Sequence, residues 1–319
     1  MNAFSDIVPD LNFTGAYGAD WLGIGLIAIL SFALGFALNR GSICTVIATA
    51  DLVARRRPAR SIALLESALW AGLVYALLDV SPFMSEGWLP LGYLVVGTVL
   101  FAVGSYVNGA CVFGSVGHFG NGDIEFALVF VGIFIVTYIE PLTNLLPGQP
   151  PLSMPLPGGA LPMVGILAVL LLARLAVTRR EEKNFGLLSI TMAAVGLAFT
   201  LIATLTPLFS ITASIETIVS VPVAGAVTIA VMSLGSIVSA VLRERRLVIK
   251  WPTWQGVIRH LAGGMLMGLG AVFIPGGNDT LLLVGLPGAA WQAFVSYALL
   301  VAVLAALIAV FGARTRAWT

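Results

Sequence analysis

The chain is short of charge. Of 319 residues, sixteen are Lys or Arg and fifteen are Asp or Glu, 10% together, where a soluble domain has about 25%. That shortage excludes a disordered chain, a nucleic-acid binder and an ordinary cytosolic enzyme. Only two cysteines are present, Cys44 and Cys111, too few for a disulfide scaffold, and no CxxC spacing offers a metal site. The two histidines, His118 and His260, lie far apart and form no HExxH pair. No GxxxxGK[ST] phosphate loop exists, which argues against ATP coupling. Residues Met1 to Asp20 carry three Asp and no Lys or Arg, the opposite of a signal peptide's basic start. No cofactor and no metal are expected.

What is abundant is apolar surface: 59% of the residues are hydrophobic and the mean hydropathy is +1.03. A helix needs roughly 20 mostly apolar residues to cross the hydrocarbon core. Nine stretches qualify: Trp21–Asn39, Ala59–Asp79, Leu91–Val107, Ile124–Glu140, Leu161–Val177, Phe185–Leu205, Ile218–Leu242, Gln255–Phe273 and Ala289–Phe311. The third, fourth and fifth are short. The expected fold is therefore an all-α polytopic membrane protein, with about nine transmembrane helices plus short re-entrant helices, set in the lipid bilayer.

Charge sets the orientation. Arg55, Arg56, Arg57 and Arg60 follow the first span, and Arg174, Arg179, Arg180 and Lys183 cluster at the end of the fifth. Arg243, Arg245, Arg246, Lys250 and Arg259 surround the seventh-to-eighth link, and Arg314 and Arg316 follow the ninth. With the N-terminus outside and the C-terminus in the cytoplasm, all of these fall inside. The outer segments then carry acids alone, from Asp6 to Asp279. Arg40, at the inner end of the first span, reads either as a snorkelling end-of-helix residue or as an anion attractor at a pore mouth.

Three apolar stretches are too rich in glycine for plain helices: Asn39-Arg-Gly-Ser-Ile-Cys44, Asn108-Gly-Ala-Cys111 running on to Gly122, and Pro275-Gly-Gly-Asn-Asp-Thr280. Non-helical backbone at membrane depth is tolerated only where protein buries it or it lines a cavity. Together with Thr206–Ser214, these breaks suggest an inverted repeat in one membrane domain, residues 1–319. Residues 1–145 hold the first four spans, 146–184 a proline-rich linker and the odd fifth span, and 185–319 the last four. Each break aims helix N-termini at its gap and could bind an anion without Lys or Arg. The candidate path residues are Cys44, Cys111, Asn278, Asn39, Arg40, Gly41, Asn108, Gly109, Gly277 and His118. Each has a plainer alternative. A buried cysteine is often a small packing residue, glycines serve close helix contacts, and His118 reads equally as a satisfied interface histidine. Glu66, inside the second span, reads as a functional carboxylate or a snorkelling one. Asp279 reads as a cap of the short helix that follows it.

The motifs Arg40-Gly-Ser-Ile-Cys44 with Asp51, Asn108-Gly-Ala-Cys-Val-Phe-Gly-Ser115 with Gly120-x-Gly122, and Gly270 to Gly277 followed by Asn278-Asp-Thr resemble the YeeE/YedE-type sulfur transport family. The resemblance implies a bacterial inner-membrane protein of nine spans plus short helices. It also implies uptake of thiosulfate or a related small sulfur-containing anion, and no enzymatic activity. In the thiosulfate permeases of that family three cysteines pass the anion by S–H contacts. Cys44 and Cys111 match the first two, whereas Gly276-Gly277-Asn278 stands where the third has Gly-Gly-Cys. A separate cytosolic sulfur carrier, TusA-like or rhodanese-like, is a partner the resemblance implies for some members. The residues alone leave two alternatives: a channel for a small neutral solute, and a cysteine-dependent sulfur-transfer enzyme with His118 as base.

Overall fold

The computed structural model describes residues 21–84, 91–143, 152–153, 160–178, 185–206, 209–220, 222–246, 248–274 and 276–313. The acidic start Met1–Asp20, Glu86, most of the proline-rich linker, Arg179, Arg180, Lys183, Pro275, Arg314 and Arg316 lie outside the described residues.

Among the described residues, nine helices of 17 to 23 residues stand at the positions of the nine apolar stretches. They are α1 (Trp21–Arg40), α3 (Ala59–Leu78), α4 (Leu91–Asn108), α6 (Ala127–Thr143), α7 (Ala160–Thr178), α8 (Phe185–Leu205), α10 (Pro222–Glu244), α11 (Trp254–Phe273) and α13 (Trp291–Phe311). Between them lie four short elements: α2 (Thr45–Arg55), α5 (Val112–Gly120), α9 (Ile211–Ser220) and α12 (Asn278–Thr280), the last continuing as a π-helical turn over Leu281–Gly285. Among the described residues, seven helical stretches are long and apolar enough to cross a membrane. The two shorter ones, Ile124–Ile139 and Val164–Ala176, coincide with the expected fourth and fifth spans. Two starts shift. Ile124–Phe126, read as the start of the fourth span, form a separate 3-10 turn before α6. Ile218–Ser220, read as the start of the seventh span, belongs to α9, and the long helix begins at Pro222, whose ring suits the first helical turn. The two strands described are two residues each, Phe83–Met84 paired antiparallel with Leu152–Ser153.

The long helices touch backbone to backbone. Helix α11 packs on α4 and α6, and α10 on α1. An added Cβ on Gly35 of α1 would fall 1.8 Å from the Met232 carbonyl oxygen of α10, and one on Gly264 of α11 would fall 2.3 Å from the Val129 carbonyl oxygen of α6. The pair Gly264-x-x-x-Gly268 is thus a packing motif, which is how small residues act between membrane helices.

One correction concerns charge. Arg174 is not a loop-side cation: it lies inside α7, fully buried, and pairs with the fully buried Glu66 of α3. Ser189 of α8 donates to Glu66 at 2.7 Å, Trp70 Nε1 donates to it at 3.3 Å, and the guanidinium lies 4.6 Å from the Phe185 ring centre. The carboxylate does not snorkel because its counter-charge is delivered by the neighbouring helix. This cluster ties α7, otherwise mostly exposed on its apolar face, to α3 and α8.

Two outcomes follow from this packing. Gly35→Ala lowers the unfolding free energy by about 1–3 kcal/mol, whereas Gly25→Ala, which meets nothing within 4 Å, leaves it unchanged; thermal unfolding of the detergent-purified protein separates them. Glu66→Ala strands a buried guanidinium and costs about 3–5 kcal/mol, and the double change Glu66→Leu with Arg174→Leu recovers most of that loss in the same measurement.

Candidate functional site

The site grows from the breaks. Helix α1 ends at Arg40; the chain turns through Gly41 and Ser42, the latter at φ 49°, and leaves Cys44 extended as the residue preceding α2. Helix α4 ends at Asn108; Gly109, at φ 85°, supplies the left-handed turn that favours glycine, and Cys111 precedes α5 in the same way. Each cysteine therefore sits at the start of a short buried helix, where free N–H groups and the positive dipole end gather.

The fold brings these two starts together. Cys111 Sγ lies 3.6 Å from Cys44 Sγ, and the Thr45 amide donates to Cys111 Sγ at 3.3 Å. Both thiols are free and buried. Gly114 makes the approach possible, since a Cβ there would fall 2.5 Å from Cys44 Sγ. The third break joins them from the other half of the chain. Gly276 turns at φ 74°, Gly277 precedes α12, and Asn278 Nδ2 donates to Thr45 Oγ1 at 3.3 Å. Tyr297 of α13 lies near the Thr45 side chain and the two thiols. Cys44, Cys111 and Asn278, separated by as many as 234 positions in sequence, thus meet around Thr45.

The other candidate residues shape this centre from outside it. Asn39 Nδ2 donates to the Gly117 carbonyl and to Asn121 Oδ1, both at 3.0 Å, holding the far end of α5. Asn108 Nδ2 donates to the Ala110 carbonyl at 2.6 Å and to Ser115 at 2.9 Å, and its Oδ1 meets His260 Nδ1 at 2.5 Å. Gly41 admits Thr191 of α8, whose hydroxyl would lie 2.7 Å from an added Cβ. Arg40 closes the last turn of α1, where a cation favours the helix dipole. His118 stacks on Phe126, ring centres 4.3 Å apart, and meets Asp123 at 3.2 Å. Asp123 in turn pairs with Lys250 at 2.7 Å. Burial pushes the Asp123 carboxyl up, but the bonds and charges of His118 and Lys250 outweigh it and hold the group below the ordinary carboxylate range.

Asp279, read from the sequence as the cap of the short helix beside it, caps a different helix, and the start of α12 has no side-chain cap hydrogen bond. Its carboxylate accepts the Ile211 amide at 2.6 Å, so it closes the start of α9, a helix from a different break. Residues that sequence reasoning missed include Thr45, Tyr297 and Thr212. The one available signal was position: Thr45 directly follows Cys44. Nothing in the sequence marks Tyr297 or Thr212 as neighbours of the breaks.

The geometry has a direct chemical consequence. Two free sulfurs this close are near disulfide reach, which needs about 2.05 Å between them. Mild oxidation by copper phenanthroline joins Cys44 to Cys111 within one chain, read by mass spectrometry of the digest, and Cys44→Ser abolishes the product.

Compared with curated proteins, the chain has no match. Residues 154–307, which span α7 to most of α13 and include the Gly276–Thr280 break, match the family described as sulphur transport. The two cysteines lie outside the matched residues, and their motifs resemble the same family independently. The second half of this multi-pass helical membrane chain is thus similar to the sulphur transport family.

Proposed function

We propose that this protein takes up thiosulfate, or a related small sulfur-containing anion, across the inner membrane through a central path. The observation that carries this reading is the meeting of Cys44, Cys111 and Asn278 at the starts of buried short helices. A thiol is a weak S–H donor on a soft, polarizable atom. It suits the sulfur end of such an anion, while free helix N–H groups and the Asn278 amide suit its oxygens. The Cys111–Cys44 contact is the element that parts. An entering anion trades one S–H···S contact for two contacts to itself, so the way between the sulfurs is closed when empty and lined when occupied.

Around this centre we read nine spans, an N-terminus outside, a cytoplasmic C-terminus and two inverted halves, 1–145 and 185–319, joined by 146–184. The four breaks with their short helices, α2 and α5 in one half and α9 and α12 in the other, support that reading. Gly41 and Gly109 lie in the first two turns and Gly277 follows the Gly276 turn of the third; Asn39 and Asn108 brace the first two; Arg40 lies towards the inner mouth, and His118 is structural. Asn278 in place of a third cysteine gives the path two thiols and one amide. This favours an anion whose oxygens, more than its sulfur, contact the outer break. A separate cytosolic sulfur carrier would receive the cargo.

The test is uptake of 35S-labelled thiosulfate into proteoliposomes. Cys44→Ala and Cys111→Ala each reduce uptake at least tenfold, and Asn278→Cys raises preference for thiosulfate over sulfate. Unchanged uptake in both alanine variants, or swelling by neutral solutes without anion competition, overturns the reading.

A further inference from the structure

The third break carries a second set of unused groups. Asp279 Oδ1, Thr212 Oγ1, Thr280 Oγ1 and Asn278 Oδ1 are buried and have no hydrogen-bond partner among the described residues. Asp279 and Asn278 are wholly buried, and Thr212 and Thr280 are each 4% exposed. All four orphaned atoms are oxygens. Two of them bracket one space: an added Cβ on Gly277 would lie 2.6 Å from Asp279 Oδ1 and 2.8 Å from Thr212 Oγ1. Thr280 Oγ1 flanks the adjoining Gly276, 2.2 Å from where its Cβ would be. The absent side chains of the two glycines thus let these oxygens close in on the Gly276-Gly277 backbone.

We propose that Asp279, Thr212 and Thr280 bind a hard monovalent cation, Na+, whose occupancy is coupled to passage of the anion. This deepens the uptake reading above and rests on it. Among the described residues no Lys, Arg or His pairs with Asp279. An unpaired buried carboxylate is costly and takes up a proton or a cation. The neighbouring oxygens decide between the two. A protonated carboxyl needs one acceptor and leaves the remaining oxygens unused, whereas a hard cation uses them all, at about 2.0–2.6 Å each. A single carboxylate is neutralised by one positive charge, which a monovalent cation supplies. The site also lies where coupling requires it. Asn278, between the two glycines and Asp279 in sequence, reaches Thr45 at the sulfur pair through Nδ2, and Asp279 Oδ2 holds the start of α9. A cation here offsets the charge of an anion entering against an inside-negative potential, in a centre that holds no Lys or Arg.

The experiment uses the purified full chain, without any sulfur anion, in matched NaCl, KCl and choline chloride. In the wild type Na+ raises the thermal midpoint by about 3 °C or more, saturably, while choline does not. Thr212→Val removes one orphaned oxygen at constant shape, and Asp279→Asn keeps an acceptor for Ile211. Both abolish the Na+ shift while their midpoints in choline report an intact fold. In proteoliposomes an inward Na+ gradient raises wild-type thiosulfate uptake at least fivefold and leaves Thr212→Val unmoved. Equal midpoints in Na+ and choline for the wild type, or a shift retained by both variants, overturns the cation site. Cysteine-dependent uptake indifferent to Na+ overturns it too and spares the anion reading. A Na+ shift with no thiosulfate uptake overturns the anion reading alone.

Discussion

A backbone N–H or C=O in hydrocarbon has no water to fall back on, so a helix that stops at membrane depth must be surrounded by protein. This constraint governs the whole molecule. Helices α1 and α4 both stop early, and the chain that follows each is buried: Thr45 to Asp51 in one case, Val112 to Gly117 in the other. The burial is supplied by long helices that approach to backbone contact through glycine. The cysteine pair is a result of that arrangement. Two broken helices that must share one dry interior end up start to start.

The same constraint explains the division of labour among the polar residues. Asn39, Asn108 and His260 spend their hydrogen-bonding capacity on the breaks themselves, holding carbonyls and side chains that a continuous helix would have satisfied. Cys44, Cys111, Asn278 and Thr45 make weak contacts with one another, two through sulfur at 3.3 and 3.6 Å and one from amide to hydroxyl at 3.3 Å. The first group fixes geometry. The second is left in loose association, which is the state a transient ligand can exploit.

The spans were readable because apolar runs of helical length leave few alternatives, and the breaks because glycine beside Asn or Cys is conspicuous in such runs. The convergence of Cys44, Cys111 and Asn278 was readable as far as each followed a break. It took three-dimensional packing to add Thr45 and Tyr297, whose residue types are unremarkable in a membrane helix. Arg174 was misplaced for a physical reason. A cation near the end of an apolar run ordinarily snorkels, and only a buried partner on another helix reverses that preference; Glu66, 108 positions earlier, gives no sequence signal of the pairing. The start of α10 was misjudged because Ile218–Ser220 is as apolar as the span it adjoins, and the Pro222 stop was the cue.

The Glu66–Arg174 pair has a consequence for biogenesis. The carboxylate emerges from the ribosome 108 residues before its counter-charge, an interval of roughly 5–20 s at ordinary synthesis rates. During that time α3 is a helix whose acid lacks its counter-charge, free to sit high in the interface. The arrival of α7, itself mostly exposed, brings the counter-charge and fixes the place of both helices. Helix α7 thus acts as a latch on α3, and the order of synthesis decides when it closes.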